Sequence, residues 1–369
     1  MRVPVNRPLL DGNEAAYLAE CVAGGWISGE GPFVERLERE FAARCGRRYG
    51  IAVSSGSGAL DIAVAALGIG PGDEVILPSF TIISCALAVV RAGATPVAVD
   101  CDAAHWNMAA AEVEKAITPR TRAIMAVHIY GLAVDMNAIQ TLAARHRLPV
   151  IEDAAQAIGQ TVAGKPCGGF GAVSAFSFYP NKNLTTGEGG MLLTDDPHLA
   201  GRCRSLRNLC FQEGRRFVHE ELGWNYRMSN LQAALGCAQL ERLDAHLERK
   251  RRIGALYGEL LAGVPVQLPR ERTPWTENLY WAYGIVLPEE SRLDRDELMT
   301  ALFGLGIGSR PFFWPMHQQP VFRAMGLFAG ASLPVAEMLG RRGLYLPSGL
   351  GISDPEIVHV AETVRRLMG

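Results

Sequence analysis

Short runs of apolar, β-branched residues alternate along the chain with stretches whose apolar positions recur at the helical period. Residues 50–53, 74–77, 95–99, 123–127 and 149–152 read as strands, and 58–67, 85–92 and 136–146 as helices. Strand, helix, strand at this spacing predicts βαβ units. The strands are apolar throughout, so both of their faces are buried, which predicts a mostly parallel sheet with helices on either side. In such a sheet ligands bind at the carboxyl ends of the strands.

From 231 to 261 the pattern becomes a long, charge-rich helix carrying Glu241, Arg242, Asp244, Glu248, Arg249 and Lys250, read here as a bridging helix. Past the Pro-, Arg- and Glu-rich stretch 265–274, residues 280–287 read as a strand, 294–305 as a helix and 355–367 as a terminal helix. The expected division is a large domain, 1–240, and a smaller C-terminal α+β domain, 241–369. No internal repeat or low-complexity tract interrupts it.

Composition narrows the function classes. Across 369 residues, 49% are hydrophobic and 20% charged, which excludes a disordered, collagen-like or coiled-coil protein. The formal charge of −2 creates no overall field for nucleic acid or an anionic membrane. The most apolar stretch, 82–90, ends at Arg91, and no uncharged run reaches the roughly 18 residues of a membrane span. The first residues do not resemble a secretory signal, and no cleavage is expected. Eight scattered cysteines without C-x-x-C spacing predict neither a metal site nor a disulfide scaffold. Reduced, mostly buried thiols in a cytoplasmic protein are expected.

Three features carry candidate chemistry. First, Lys182 stands alone in a polar turn after an apolar strand and before the cluster Gly187-Glu-Gly-Gly190. A lysine on a constrained loop beside an apolar strand is partly desolvated, which lowers its pKa and frees its amine for a Schiff base; a solvated loop lysine is the alternative. Second, the strand at 149–152 ends in Glu152-Asp153, whose side chains point to opposite faces. Asp153 could ion-pair the protonated pyridine nitrogen of pyridoxal 5'-phosphate (PLP), or cap a helix starting at Ala154. Third, Ser54-Ser-Gly-Ser-Gly58 follows a strand and opens a helix, so Gly56 and Ser57 could cradle a phosphate; a flexible turn is the alternative. Neither the P-loop nor the dinucleotide fingerprint is present. On one parallel sheet, the three together form a PLP site.

The sequence is also similar to the DegT/StrS-type sugar aminotransferases of PLP fold type I, which are aspartate aminotransferase-like. The resemblance runs from Leu10-Asp-Gly-Asn-Glu and Gly25-Trp-Ile-Ser-Gly through Gly72-Asp-Glu-Val-Ile-Leu-Pro and Val127-His-Ile-Tyr-Gly to Glu152-Asp-Ala-Ala-Gln, Phe176-Ser-Phe, Lys182, Gly187-Glu-Gly-Gly and Asn225-Tyr-Arg-Met. It implies that Lys182 forms the Schiff base and shuttles the proton, and that Asp153 pairs with the pyridine nitrogen. It also implies that Gln156 contacts the cofactor ring or its O3', and that Gly56, Ser57 and Ser177 bind the phosphate. Asn225 matches an asparagine that reaches the phosphate of a neighbouring subunit, which implies a homodimer with shared sites; read from the residues alone, it is a turn or N-cap residue. Many members carry a ring-stacking aromatic at the position of Ile82, so either an aliphatic face covers the ring or Phe80 stacks on it. A dehydratase branch has histidine in place of the lysine, and Lys182 argues against it.

Residues 308–322, rich in aromatics, resemble the corresponding segment of 4-aminotransferases acting on GDP-4-keto-6-deoxymannose. That likeness implies that His317 faces the nucleotide-linked keto-sugar and that Arg310 lies near its diphosphate, although the aromatics could pack a domain edge and His317 could be a satisfied interior histidine. Trp26, Ser28 and Arg227 are further substrate-side candidates. The expected reaction moves the amino group of L-glutamate to the sugar, for amino-sugar and polysaccharide biosynthesis. A keto-cyclitol aminotransferase, a PLP-dependent dehydratase and a non-catalytic sensor are the rival classes.

Overall fold

Among the described residues nine strands precede residue 195: β1 (Tyr49–Val53), β2 (Glu74–Pro78), β3 (Thr95–Val99), β4 (Thr121–Val127), β5 (Val150–Asp153), β6 (Thr161–Val162), β7 (Lys165–Pro166), β8 (Val173–Ser177) and β9 (Gly190–Thr194). The structure, a computed structural model, describes residues 2–212 and 214–369. Seven of the strands form one sheet in the order β1-β9-β8-β5-β4-β2-β3, and β6 and β7 form a separate hairpin. β9 runs antiparallel to both of its neighbours, and the remaining pairings are parallel. The sheet is mostly parallel, as its uninterrupted apolar strands predict.

Alternate strand residues feed two cores. Val53, Leu77, Met125 and Val127 pack with Leu60, Val89 and Cys203 from the helices Gly56–Ala66, Ser84–Arg91 and Pro197–Arg207. Ala52, Ile76, Ile124 and Ala126 pack with Phe41, Ile139 and Ala233 from Pro32–Arg44, Met136–His146 and Asn230–Glu241. Burial on both faces explains why these strands lack polar alternation. Helix starts follow short polar side chains: Ser55 accepts from Gly58 N–H at 3.0 Å, and Ser229 forms a capping box with Gln232.

The three-stranded sheet comprises β10 (Tyr283–Val286), β11 (Arg310–Pro311) and β12 (Gly343–Leu346), in the order β10-β12-β11. Leu298, Leu302, Ile357, Val360 and Val364 from the helices Arg295–Gly304 and Asp354–Met368 cover it. The N-terminal residues join this part of the molecule, since Val3 pairs with Ile307 and sits in the same core.

Two expectations change in detail. The helix read over 231–261 is two helices, Asn230–Glu241 and Leu243–Leu260, because the chain tightens at Arg242, whose N–H donates to Gln239 and Leu240 carbonyls. The second still bridges: Leu243 and Leu247 lie in a core of the large sheet, Ile253 and Tyr257 in the core of the small one. The strand read over 280–287 pairs only from Tyr283, because Tyr280 has φ +53° and the Trp281 carbonyl accepts from Lys250 Nζ at 2.9 Å. All eight cysteines are buried and unpaired. Among the described residues no helix is long and apolar enough to cross a membrane.

Candidate active site

A cavity of about 380 Å³ opens at the carboxyl ends of β1, β5 and β8. Ser55, Gly56 and Ser57 follow β1, Asp153 ends β5, Ser177 ends β8, and Lys182 lies on the turn beyond; all of them line the cavity, with Gln156. The parallel sheet thus brings together side chains that are far apart in sequence.

Lys182 Nζ lies 3.8 Å from the centre of the Trp281 ring. Burial pushes its ammonium down to about 7, and the charge of Asp153 opposes that shift. Asp153 is 3% exposed, its Oδ1 accepting from Ala155 N–H at 3.0 Å and its Oδ2 from the Cys85 thiol at 3.2 Å. Burial raises its carboxyl above the ordinary range, against the Ala155 and Cys85 hydrogen bonds and the more distant Lys182 and His128. No helix begins at Ala154, so Asp153 is not a helix cap. A buried acid aimed into a cavity without a contacting cation suits a cationic ring nitrogen.

The helix Gly56–Ala66 begins at the cavity wall, and its first backbone N–H groups have no intrahelical acceptor. A Cβ on Gly56 would meet Ser177 Cβ at 2.7 Å, so glycine lets the helix start and the end of β8 approach each other. Ser57 Oγ bonds Ser84 Oγ at 2.7 Å. Backbone N–H groups, three serine hydroxyls and a helix dipole suit a phosphate. Gln156 Oε1 accepts from Tyr130 N–H at 2.8 Å, which fixes the side chain at the cavity wall. These residues fit PLP: an amine, an acid for the ring nitrogen and an anion cradle at separate points.

Ile82 lines the cavity, whereas Phe80 is fully buried in an aromatic cluster with Tyr130, Phe312 and Phe313. The face presented to a ring on that side is therefore aliphatic. Arg310 is exposed and lines an adjoining hollow that shares Tyr179, Asn181, Trp281 and Tyr345 with the main cavity. His317 does not face the cavity. Its Nδ1 bonds Ser79 Oγ at 2.8 Å and its Nε2 bonds Glu337 Oε1 at 3.1 Å, leaving it 2% exposed, a satisfied interior histidine that ties the 315–318 turn to its neighbours. Trp26, Ser28, Asn225 and Arg227 also lie outside this chain's cavity. Arg227 donates to Asn208 Oδ1 at 2.6 Å, while Trp26, Ser28 and Asn225 are exposed.

Sequence reasoning did not single out Ser84, Trp281 or Tyr345, which line the cavity. A serine opening a helix after β2 is a signal that could have found Ser84; Trp281, just before β10, and Tyr345, in β12, come from a distant part of the chain and leave no local one.

Beneath Asp153, the neighbouring Glu152 is fully buried on the other face. It accepts from Gly168 N–H at 2.6 Å, Phe170 N–H at 2.9 Å, Gly171 N–H at 3.0 Å, Ser174 Oγ at 2.9 Å and His128 Nε2 at 3.1 Å. His128 Nδ1 accepts from Val134 N–H, which places the ring proton on Nε2. Burial alone would raise the Glu152 carboxyl, but His128 and the Gly168 and Gly171 N–H groups hold it at about 2. The native pKa lies below the ordinary 4.5, so the stabilisation is fully present above pH 4.5 and is lost as pH falls toward 2. Glu152→Gln should cost about 3 kcal/mol, since one amide oxygen cannot accept all of these donors. Urea melts at pH 7 check this, and an unchanged midpoint would contradict it.

Lys250, 2% exposed, donates to the Trp281 and Ser348 carbonyls, and burial lowers its ammonium to about 7. With native values near 7 against an ordinary 10.5 for both lysines, the unfolded chain binds more protons between these limits, so stability rises with pH there. Buried Cys45, Cys203 and Cys237 are raised to about 12 from 9.0 and reverse the trend above pH 9. The cofactor-free protein should therefore melt later at pH 8.5 than at pH 7, and earlier again above pH 9. Calorimetry under reducing conditions reads this, and Lys250→Met should remove about half of the rise.

The profile described as "DegT/DnrJ/EryC1/StrS aminotransferase family" matches residues 8–365. A protein of Caulobacter vibrioides named GDP-perosamine synthase is 44% identical over 368 residues, covering 100% of this chain and 98% of its own. The structure of S. venezuelae DesV in complex with a ketimine intermediate superposes with a TM-score of 0.89 at 40% identity, covering 96% of this chain and 94% of that one. The PLP-form of the putative sugar aminotransferase Spr1654 from Streptococcus pneumoniae gives a TM-score of 0.93 at 25% identity, covering 100% and 99%.

Proposed function

This chain belongs to the DegT/DnrJ/EryC1/StrS aminotransferase family, and we propose that it moves the amino group of L-glutamate to the keto carbon of a GDP-linked 4-keto-6-deoxy-hexose, as a perosamine-type 4-aminotransferase. It is a PLP-dependent sugar aminotransferase. The observation that carries the proposal is the meeting of Lys182, Asp153 and the Gly56–Ser57–Ser177 cradle in one cavity, in a chain 44% identical over its whole length to a GDP-perosamine synthase.

When bound, PLP supplies an electron sink for the carbon that loses its proton. In the proposed arrangement Lys182 would hold the cofactor, and its Nζ, freed when the donor amine takes its place, would move a proton from the donor carbon to the cofactor carbon and, in the second half-reaction, from the cofactor carbon to the sugar carbon. Asp153 holds the ring nitrogen protonated. Gly56, Ser57 and Ser177 bind the phosphate, and Gln156 borders the ring. Glutamate leaves as 2-oxoglutarate and the sugar gains the amino group. Arg310, an exposed cation in the adjoining hollow, is the substrate-side residue that its position supports best, toward a diphosphate.

Asn225 would act on the phosphate of a second copy, making the working unit a homodimer. Its exposure, and that of Trp26, Ile27, Phe217 and Leu222, supports a covering partner. Sedimentation should then give twice the chain mass, and a monomer at micromolar concentration would remove this part.

The substrate is tested by supplying GDP-, dTDP- and UDP-linked keto-sugars with L-glutamate and weighing the products. The GDP-linked 4-keto-6-deoxymannose should be aminated fastest. Turnover only of dTDP- or UDP-sugars would overturn the GDP assignment, and turnover of none would overturn the substrate class.

A further inference from the structure

Trp281 reaches the cavity from the segment before β10, and its ring is fixed on several sides. The indole N–H donates to the Asn181 carbonyl at 2.8 Å, in the same turn as Lys182. The ring stacks on Tyr130 at 5.9 Å and 23°, and the Trp281 carbonyl accepts from buried Lys250 at 2.9 Å. The side chain is 7% exposed. Against this immobile face rests Nζ of Lys182, 3.8 Å from the ring centre. An aromatic face attracts an ammonium through its quadrupole, yet presents no hydrogen-bond donor that would occupy the lone pair of the neutral amine. It can therefore hold the amine without blocking its attack on a carbonyl carbon.

We propose that Trp281 is a positioning residue for Lys182, its indole face being the seat on which the amine rests whenever it is not joined to the cofactor. The inference rests on the reading of Lys182 as the cofactor-carrying amine. It gives the released lysine a fixed place from which to return a proton, and it explains why a tryptophan from the segment before β10 is tied to the lysine turn.

Other groups act on the same amine. Asp153 at the end of β5 opposes the effect of burial. Tyr179, Glu188 and Tyr345 line the same cavity, Lys250 stands behind the Trp281 carbonyl, and His128 acts on Asp153. Trp281 is in contact with the amine through a face that favours its charge.

The test mixes cofactor-free protein with PLP from pH 5.5 to 9 and follows the rate at which the lysine-bound absorption grows, a rate set by the fraction of free amine. Borohydride trapping and peptide mass identify the lysine captured. The wild-type rate should rise with a midpoint near pH 7, as the lowered Lys182 ammonium requires. Trp281→Leu should move the midpoint about one pH unit lower, because loss of the ring disfavours the ammonium, and Trp281→Phe should move it less. Circular dichroism establishes that the variants fold, and if Trp281→Leu does not, Trp281→Phe against wild type decides. An unmoved midpoint with Lys182 trapped overturns the role of Trp281 alone. Capture at another lysine overturns the reading of Lys182, and this inference with it.

Discussion

Lys182→Ala is expected to lower turnover by about ten-thousand-fold or more, because one side chain supplies both the covalent attachment and the proton carrier. Alanine leaves the cavity's other groups in place and introduces no competing base. Burial already disfavours the Lys182 ammonium at neutral pH, so the variant should fold at least as well as the parent. The measurement is steady-state formation of 2-oxoglutarate beside a thermal melt. Retained turnover in a folded variant would remove Lys182 from the chemistry, and lost turnover with lost folding would be read from Lys182→Met instead.

Asp153→Asn is expected to lower kcat by about a thousand-fold while KM for glutamate moves less than about tenfold, because the carboxylate acts on charge that develops during reaction. The amide keeps the size of the acid but brings no negative charge to a ring nitrogen. It also has one acceptor for the two donors, Ala155 N–H and the Cys85 thiol, now shared between two oxygens. The carboxyl is buried beside no contacting cation, so its charge has little to screen it, and its loss is felt almost in full. Steady-state kinetics of the PLP-loaded variant check this. A kcat within tenfold of the parent would place the control of the ring nitrogen elsewhere.

Those two residues were legible because each ends a segment whose hydrophobic pattern is unambiguous. β5 is apolar up to its two acids, and β8, which keeps Val173, Ala175 and Phe176 buried, leads into the polar turn that holds Lys182. A parallel sheet turns such sequence positions into neighbours, since its strands all present the same end. The anion cradle was legible for the same reason, from Ser/Gly residues between β1 and a helix.

What local pattern could not show depends on distant partners. Phe80 and Ile82 are both apolar and only two residues apart, and the bend after β2 alone decides that Phe80 enters the aromatic cluster while Ile82 faces the cavity. The break at Arg242 carries no Pro or Gly, so the helical period runs through it unmarked. His317 sits among aromatic residues that resemble a sugar pocket, yet Ser79, far away in sequence, and Glu337, on a helix that follows, take both of its ring nitrogens. The seat of Lys182 on Trp281 likewise joins a turn of the large sheet to the threshold of the small one, a contact that no periodicity encodes.

The first half-reaction needs no sugar and isolates the chemistry of Lys182. The PLP-loaded protein should lose its yellow absorption when L-glutamate is added and should release one equivalent of 2-oxoglutarate per site. A protein that holds PLP at Lys182 but keeps its colour with glutamate and releases no 2-oxoglutarate would contradict the account.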